Sequence, residues 1–194
     1  MKVLGSSTTT PLQVNPDLST AALSALVAVI VLLAAAGLGT AAMVVIGVLA
    51  STVGNQAIID LHTRRLPLAI SHRGAAAIVL VAALFSDLPT FGATLLGAAT
   101  MAAIGKLLAM LAQGSLGRWD VHYCWPLGAA LGFFSSPVEA VRAVLLAWAV
   151  TAAAAGLVIA VGLVRRRLTR RSTVPYGPFL TVGTVGSLLA AVAA

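Results

Sequence analysis

The chain has 194 residues, of which 60% are hydrophobic and 9% charged, with a mean hydropathy of +1.04. A soluble domain carries about 25% charged residues, so this composition excludes an ordinary water-soluble enzyme and indicates lipid as the solvent. The net charge of +7 is compatible with nucleic-acid binding, but the arginines cluster between apolar runs, as topology signals of membrane proteins do. The single cysteine, Cys124, excludes an intrachain disulfide and a CxxC metal pair. We expect it to be a small apolar packing residue.

The N-terminal part of the chain changes abruptly from polar to apolar. Residues 1–17 are expected to form a polar tail, and residues 18–194 a single transmembrane domain. The first apolar run, 18–38, is long enough to cross a ~30 Å hydrocarbon core. A cleaved signal peptide is the competing interpretation. An uncleaved span is favoured because Lys2 lies far from the run and the run exceeds the usual h-region of about 7–15 residues.

Further apolar runs follow along the rest of the chain. Their predicted ranges are 41–60, 74–86, 90–113, 121–135, 138–164 and 176–194, and the run 74–86 can be extended backwards through 66–70. The predicted connections are loops at 61–73, 114–119 and 165–175 and tight turns at 86–89 and 135–137. Two of the runs are short and are expected to need protein neighbours. The sequence therefore predicts an all-α fold, a polytopic transmembrane helical bundle of about seven spans.

The charges suggest an orientation for this bundle. If the loop 61–73 is cytoplasmic, alternation places the loops 114–119 and 165–175 on the same side. The turns that carry Asp87 and Glu139 then lie on the other side. The arginines are concentrated in the three loops, as the positive-inside rule requires of cytoplasmic loops. The sequence therefore predicts a multi-pass protein with a cytoplasmic N-terminus.

Two aspartates fall at the predicted cytoplasmic boundary. Asp60 ends the run 41–60, and Asp120 immediately precedes the run 121–135. An aspartate at the bilayer centre costs about 2.5–3.5 kcal/mol on insertion scales, so acids near a span need an explanation. Two carboxyl groups at one depth can converge, share a proton and cleave a peptide bond. The alternative, that each aspartate caps a helix or pairs with an arginine, stays open.

Other catalytic chemistries have weaker support in the sequence. His62, His72 and His122 lack the i, i+4 spacing of H-E-x-x-H and have no nearby glutamate, so no metal site and no cofactor are predicted. The serines lack a G-x-S-x-G context, which argues against a serine protease.

Three segments resemble motifs of the type IV prepilin peptidases, membrane aspartyl peptidases with a GxGD-type site. They are D-L-H-T-R-R-L-P at 60–67, G-R-W-D-V at 117–121 and V-P-Y-G-P-F-L-T-V-G at 174–183. The segments follow the family's order, and the resemblance covers roughly residues 41–194. The larger members' cytoplasmic domain with paired CxxC motifs has no counterpart here, so the chain resembles the short, peptidase-only form.

The resemblance implies a function and a set of site residues. Asp60 and Asp120 are the implied catalytic pair. The implied supporting residues are Arg64, Arg65, Pro67, Gly117, Arg118 and Trp119. The implied activity removes leader peptides from prepilin or pseudopilin precursors at the cytoplasmic face of a bacterial or archaeal inner membrane. The implied surroundings are the lipid bilayer and a pilus or secretion assembly machinery, with no nucleic acid.

The chain departs from the family pattern at three positions. Trp119 stands where the second motif has its second glycine, His122 where lysine is usual, and Leu68 where asparagine is common. These departures leave a second interpretation, a catalytically inactive membrane scaffold or assembly factor of the same family. A small transporter or channel subunit ranks last, because the predicted spans contain few polar residues near their middle.

Overall fold

The fold of the chain is helical. A computed structural model describes residues 37–63, 68–111, 118–166 and 176–193. These ranges form helices α1 (Thr40–Thr63), α2 (Leu68–Phe85), α3 (Leu88–Leu111), α4 (Arg118–Phe133), α5 (Pro137–Val164) and α6 (Gly177–Ala193). No strand occurs within them, so the all-α prediction is confirmed.

Three of the described helices, α2, α3 and α5, are long and apolar enough to cross a membrane. Helices α1 and α6 contain shorter apolar stretches, Thr40–Gln56 and Gly177–Ala191. Helix α4 has 16 residues and contains Pro126. The described helices that are long and apolar enough to cross a membrane are therefore fewer than the seven predicted spans. All but the last two residues of the predicted first span, 18–38, lie outside the described residues.

Helix α4 lies at the centre of the bundle and contacts each of the other five described helices. Its side chains at Tyr123, Cys124, Leu127 and Leu131 are fully buried. A short helix interrupted by proline can be stable in this position because protein, and not lipid, surrounds it. The prediction that Cys124 is a buried packing residue is confirmed.

Helices α3 and α4 approach each other through glycines. A Cβ atom added at Gly97, Gly128 or Gly132 would overlap the backbone of the opposing helix. Small residues of this kind allow helices to pack closely in lipid, where apolar burial does not drive association. The close approach of α3 and α4 therefore depends on these glycines.

The outer surface carries many large apolar side chains. Leu80, Leu84 and Leu157 are 57%, 64% and 66% exposed. Soluble monomers rarely leave such broad apolar surfaces uncovered. The exposed leucines, together with the three long apolar helices, are compatible with a membrane protein.

Two predicted loops are wrong in extent. Helix α1 continues through Thr63 and α2 begins at Leu68, so the predicted loop at 61–73 is largely helical. Helix α4 begins at Arg118, which puts the last two residues of the predicted loop 114–119 in its first turn. Both errors have the same cause. Hydropathy shows where charged residues begin, whereas a helical backbone continues through histidine, threonine and arginine.

The tight turns are confirmed. Ser86 and Asp87 separate α2 from α3, and the backbone N–H of Thr90 donates to Asp87 Oδ1 at 3.0 Å, which caps the new helix. Ser136 caps α5 through a capping box with Glu139, and Pro137 occupies the first turn. Proline fits there because the first N–H groups of a helix have no partner within the helix.

Candidate functional site at the basic end of the bundle

The order of the helices defines two ends of the bundle. The C-termini of α1, α3 and α5 and the N-termini of α2, α4 and α6 lie at one end, which we call the basic end. The described basic residues at or near it are Arg73, Lys106, Arg165 and Arg166. The opposite end carries Asp87, Glu139 and Arg142. The charge asymmetry of the sequence is therefore an asymmetry of the folded bundle.

Asp120 lies in the first turn of α4, at the basic end, and its side chain is half-buried. The Cys124 thiol donates to the Asp120 carbonyl oxygen at 3.3 Å, one helical turn further on. The pKa of Tyr176, which directly precedes α6, is raised by burial and then by interaction with Cys124 and Asp120. Tyr176 also packs against the core cluster to which Cys124 belongs, so the start of α6 lies close to the start of α4.

Asp60 contributes helical backbone to the last turn of α1, at the same end as Asp120. It follows Gln56 by four residues and Val53 by seven, and both of those residues are buried. At 3.6 residues per turn, these spacings give Asp60 nearly the same position around the helix axis as the two buried residues. The side chain of Asp60 lies outside the described residues, as does any distance between the two carboxyl groups.

The predicted supporting residues fall mostly outside the described part of the chain. Those entirely outside it are Arg64, Arg65, Pro67 and Gly117. Arg118 and Trp119 contribute helical backbone to α4, and their side chains are not among those described.

Tyr123 joins three helices in the core near the basic end. It is not among the site residues predicted from the sequence. Its fully buried hydroxyl lies 2.7 Å from Thr181 Oγ1 on α6 and donates a longer bond of 3.4 Å to the Val53 carbonyl on α1. Thr181 belongs to the segment 174–183, so one phenol connects the three helices that carry the motif-like segments. In the sequence, the signal for Tyr123 was its position three residues after Asp120, which puts both residues on one side of α4.

A second buried bond ties α1 to α2. The Gln56 side chain donates from Nε2 to Ser71 Oγ at 2.6 Å, and both residues are buried. One turn further along α2, a Cβ atom at Gly74 would overlap the side chain of Thr52 on α1. The relative position of α1 and α2 is therefore fixed by polar and steric contacts together.

Two histidines that are distant in sequence meet at the basic end. His72 Nε2 on α2 lies 3.2 Å from His122 Nδ1 on α4, with ring centroids 5.1 Å apart and ring planes at 83°. Residue spacing within one helix cannot reveal a pair that forms between two helices. Among the described residues, no group of three or more His, Cys, Asp or Glu side chains is placed to hold a metal ion.

None of the known protein families, curated proteins or solved structures compared with this chain matches it significantly. The resemblance to the prepilin peptidases therefore remains a prediction based on three short segments.

Proposed function

We propose that the chain is a membrane aspartyl endopeptidase that removes leader peptides from prepilin-like precursors, with Asp60 and Asp120 as the catalytic pair. The observation that supports this proposal is the contact of the Tyr123 hydroxyl with Thr181 and Val53. These bonds hold together the helices that carry the three motif-like segments. A two-aspartate mechanism needs its acids at one end of the bundle, and α1 and α4 offer them at the basic end.

The helix geometry gives the scale of the proposed cleft. At 1.5 Å of rise per residue, Asp60 lies about 10 Å beyond Val53 along α1, and Asp120 about 4.5 Å beyond Tyr123 along α4. Both displacements run from the Tyr123 contact toward the basic end. The proposed cleft therefore opens at this end and has the Tyr123 contact as its floor.

The proposed chemistry uses the two carboxyl groups in different protonation states. The ionised carboxylate takes a proton from water as the water oxygen attacks the scissile carbonyl carbon. The protonated acid donates its proton to the carbonyl oxygen. Collapse of the tetrahedral intermediate breaks the C–N bond, and the amine leaves with a proton returned by the pair. Two like charges in proximity raise one pKa and so maintain the shared proton.

The proposed orientation places the basic end in the cytoplasm, in line with the positive-inside rule. The proposed topology has seven spans, in which 18–38 is the first and α4 is a short inner helix. The apolar helix of a precursor would lie against the exposed leucines of the bundle, within the lipid bilayer. Its leader would then reach the two aspartates at the membrane boundary of a bacterial or archaeal inner membrane.

The experiment compares three isosteric variants in membranes. Asp60→Asn and Asp120→Asn should each abolish conversion of prepilin-like precursors to mature products, because an amide keeps the shape of the carboxyl group but cannot exchange the proton. Asp87→Asn is the matched control, since Asp87 lies at the opposite end, and it should cleave normally. The measurement is a gel shift of several precursors at equal protein level. Normal cleavage by either of the first two variants would exclude the aspartyl mechanism.

The position of Trp119 supports a second candidate, an inactive scaffold or assembly factor. Trp119 precedes Asp120 within the helical first turn of α4. Among the described residues, only Arg166 and Gly37 have positive φ, so the backbone at 119 does not require glycine. The departure at position 119 is therefore one of side-chain size, an indole in place of a hydrogen atom. Trp119→Gly separates the candidates, because a large gain in cleavage from an inactive wild type would favour the scaffold.

A further inference from the structure

We propose that His72 and His122 form a binding site for one divalent transition-metal ion, which bridges α2 and α4 at the basic end. The proposal rests on the geometry of the pair and is independent of the peptidase activity. Imidazole nitrogen is a ligand for zinc, cobalt, nickel and copper, whereas calcium and magnesium select oxygen ligands. Zinc is therefore the ion with which the site is best examined.

The separation of the two ring nitrogens suits a shared ion. Two nitrogens bound at about 2.05 Å to a tetrahedral zinc ion lie roughly 3.3 Å apart. The observed distance from His72 Nε2 to His122 Nδ1 is 3.2 Å. An ion could thus bind both nitrogens after a small rotation of the rings, provided that the proton between them moves to the other nitrogen of its own ring or leaves to solvent.

The helices hold the histidines in place through their sequence neighbours. Ser71 precedes His72, and it is buried and accepts the bond from Gln56. Tyr123 follows His122, and it is buried and bonded to Thr181. Both histidines therefore project from backbone that is fixed by core contacts. A site on such rigid elements loses little side-chain and backbone freedom when it binds an ion.

The two facing ring nitrogens themselves favour a cation over an anion as the occupant. At hydrogen-bond distance, at least one of the two facing nitrogens must present a lone pair, because two N–H groups would repel each other. A lone pair is what a metal ion requires. His72 is exposed and His122 is half-buried, so an ion and its remaining water ligands can reach the pair. Arg73 is also exposed, and solvent screens its charge.

The test is zinc binding by the purified full-length chain in detergent micelles, measured by competition with a chromophoric zinc indicator. We expect one ion per chain, and we expect His72→Ala and His122→Ala each to weaken binding at least tenfold. The double variant should bind zinc only slightly more weakly than either single variant, because one remaining imidazole does not form the site. Asp87→Asn, at the opposite end of the bundle, is the control and should change the affinity less than twofold.

A second measurement guards against variants that bind poorly because they are misfolded. Zinc at 100 times its dissociation constant should raise the ratio of folded to unfolded wild type about 100-fold, and hence its melting temperature. His72→Gln keeps a polar side chain and should melt like the zinc-free wild type, with no response to zinc. A wild type that binds no zinc at millimolar concentration would overturn the proposal. Equal zinc affinity of the wild type and both alanine variants would overturn it as well.

Discussion

Alanine should have different effects at two glycines of the bundle, Gly128 and Gly156. An added Cβ atom at Gly128 would lie 2.5 Å from the Met101 Cβ atom and 2.9 Å from the Ala98 Cα atom, and would also overlap the Gly97 carbonyl. A Cβ atom at Gly156 would have no neighbour within 4 Å. Because the obstacles at Gly128 include backbone atoms of α3, that helix must move away from α4 to make room.

The expected difference in unfolding free energy follows from comparing the two variants. Both gain the intrinsic helix preference of alanine over glycine, about 0.8–1 kcal/mol, so this contribution cancels in the comparison. Overpacking a well-packed core typically costs about 1–3 kcal/mol, and this cost falls on Gly128→Ala alone. We therefore expect Gly128→Ala to be less stable than Gly156→Ala by about 1–3 kcal/mol.

The assay is reversible unfolding of the purified chain in mixed micelles, with helical circular dichroism followed as denaturing detergent is added. Tryptophan fluorescence, to which Trp148 in the core cluster contributes, gives a second signal. The wild type and the two variants are compared at the same protein and lipid content. Equal shifts of the two variants from the wild type, or a more stable Gly128→Ala, would refute the close approach of α3 and α4.

Two further predictions concern polar contacts. Tyr123→Phe keeps the buried ring but loses the bonds to Thr181 and Val53, so it should lower the unfolding free energy by about 1–2 kcal/mol. Thr181→Val should give a similar loss, and the double variant should lose less than the sum; full additivity would argue against a shared bond. Hydrogen bonds from Thr90, first from its side chain and then from its backbone, lower the pKa of Asp87 below its ordinary 3.8. The stabilisation by this carboxylate should therefore be complete above pH 3.8 and lost as the pH falls through the lowered folded-state value. The measurement is the unfolding free energy of the wild type and of Asp87→Asn as the pH falls from above 3.8 to well below it. A stability difference between them that persists far below the lowered pKa would contradict the prediction.

The class of fold was predictable because its signals are local. Runs of apolar residues define the helices, and the Ser86–Asp87 and Ser136–Pro137 pairs carry cap and turn chemistry that ends one helix and starts the next. The helix ends at Thr63 and Arg118 were not predictable from the same signals. Hydropathy describes the solvent that a segment prefers, and a charged residue that leaves the membrane can remain in the helix.

The contacts at the basic end could not be predicted for a different reason. Tyr123 meets Thr181 across 58 positions of sequence, and His72 meets His122 across 50. Spacing rules within one helix do not reach such partners. Finding them requires the rotation of each helix about its axis, which depends on the glycine contacts between α3 and α4 and on the Gln56–Ser71 bond between α1 and α2. The shared end of Asp60 and Asp120 was predictable because it depends only on the alternation of spans.

The central position of α4 explains why this helix carries so many of the polar groups. At about 100° per residue, Asp120 and Tyr123 fall on one side of α4, whereas His122 points about 200° away from Asp120. A helix surrounded by lipid could not present polar groups in two directions without a large cost. Because α4 contacts all five other described helices, Tyr123 finds its partners on α1 and α6 and His122 finds one on α2. The same enclosure removes the need for a long apolar surface, which fits a helix of only 16 residues that contains a proline.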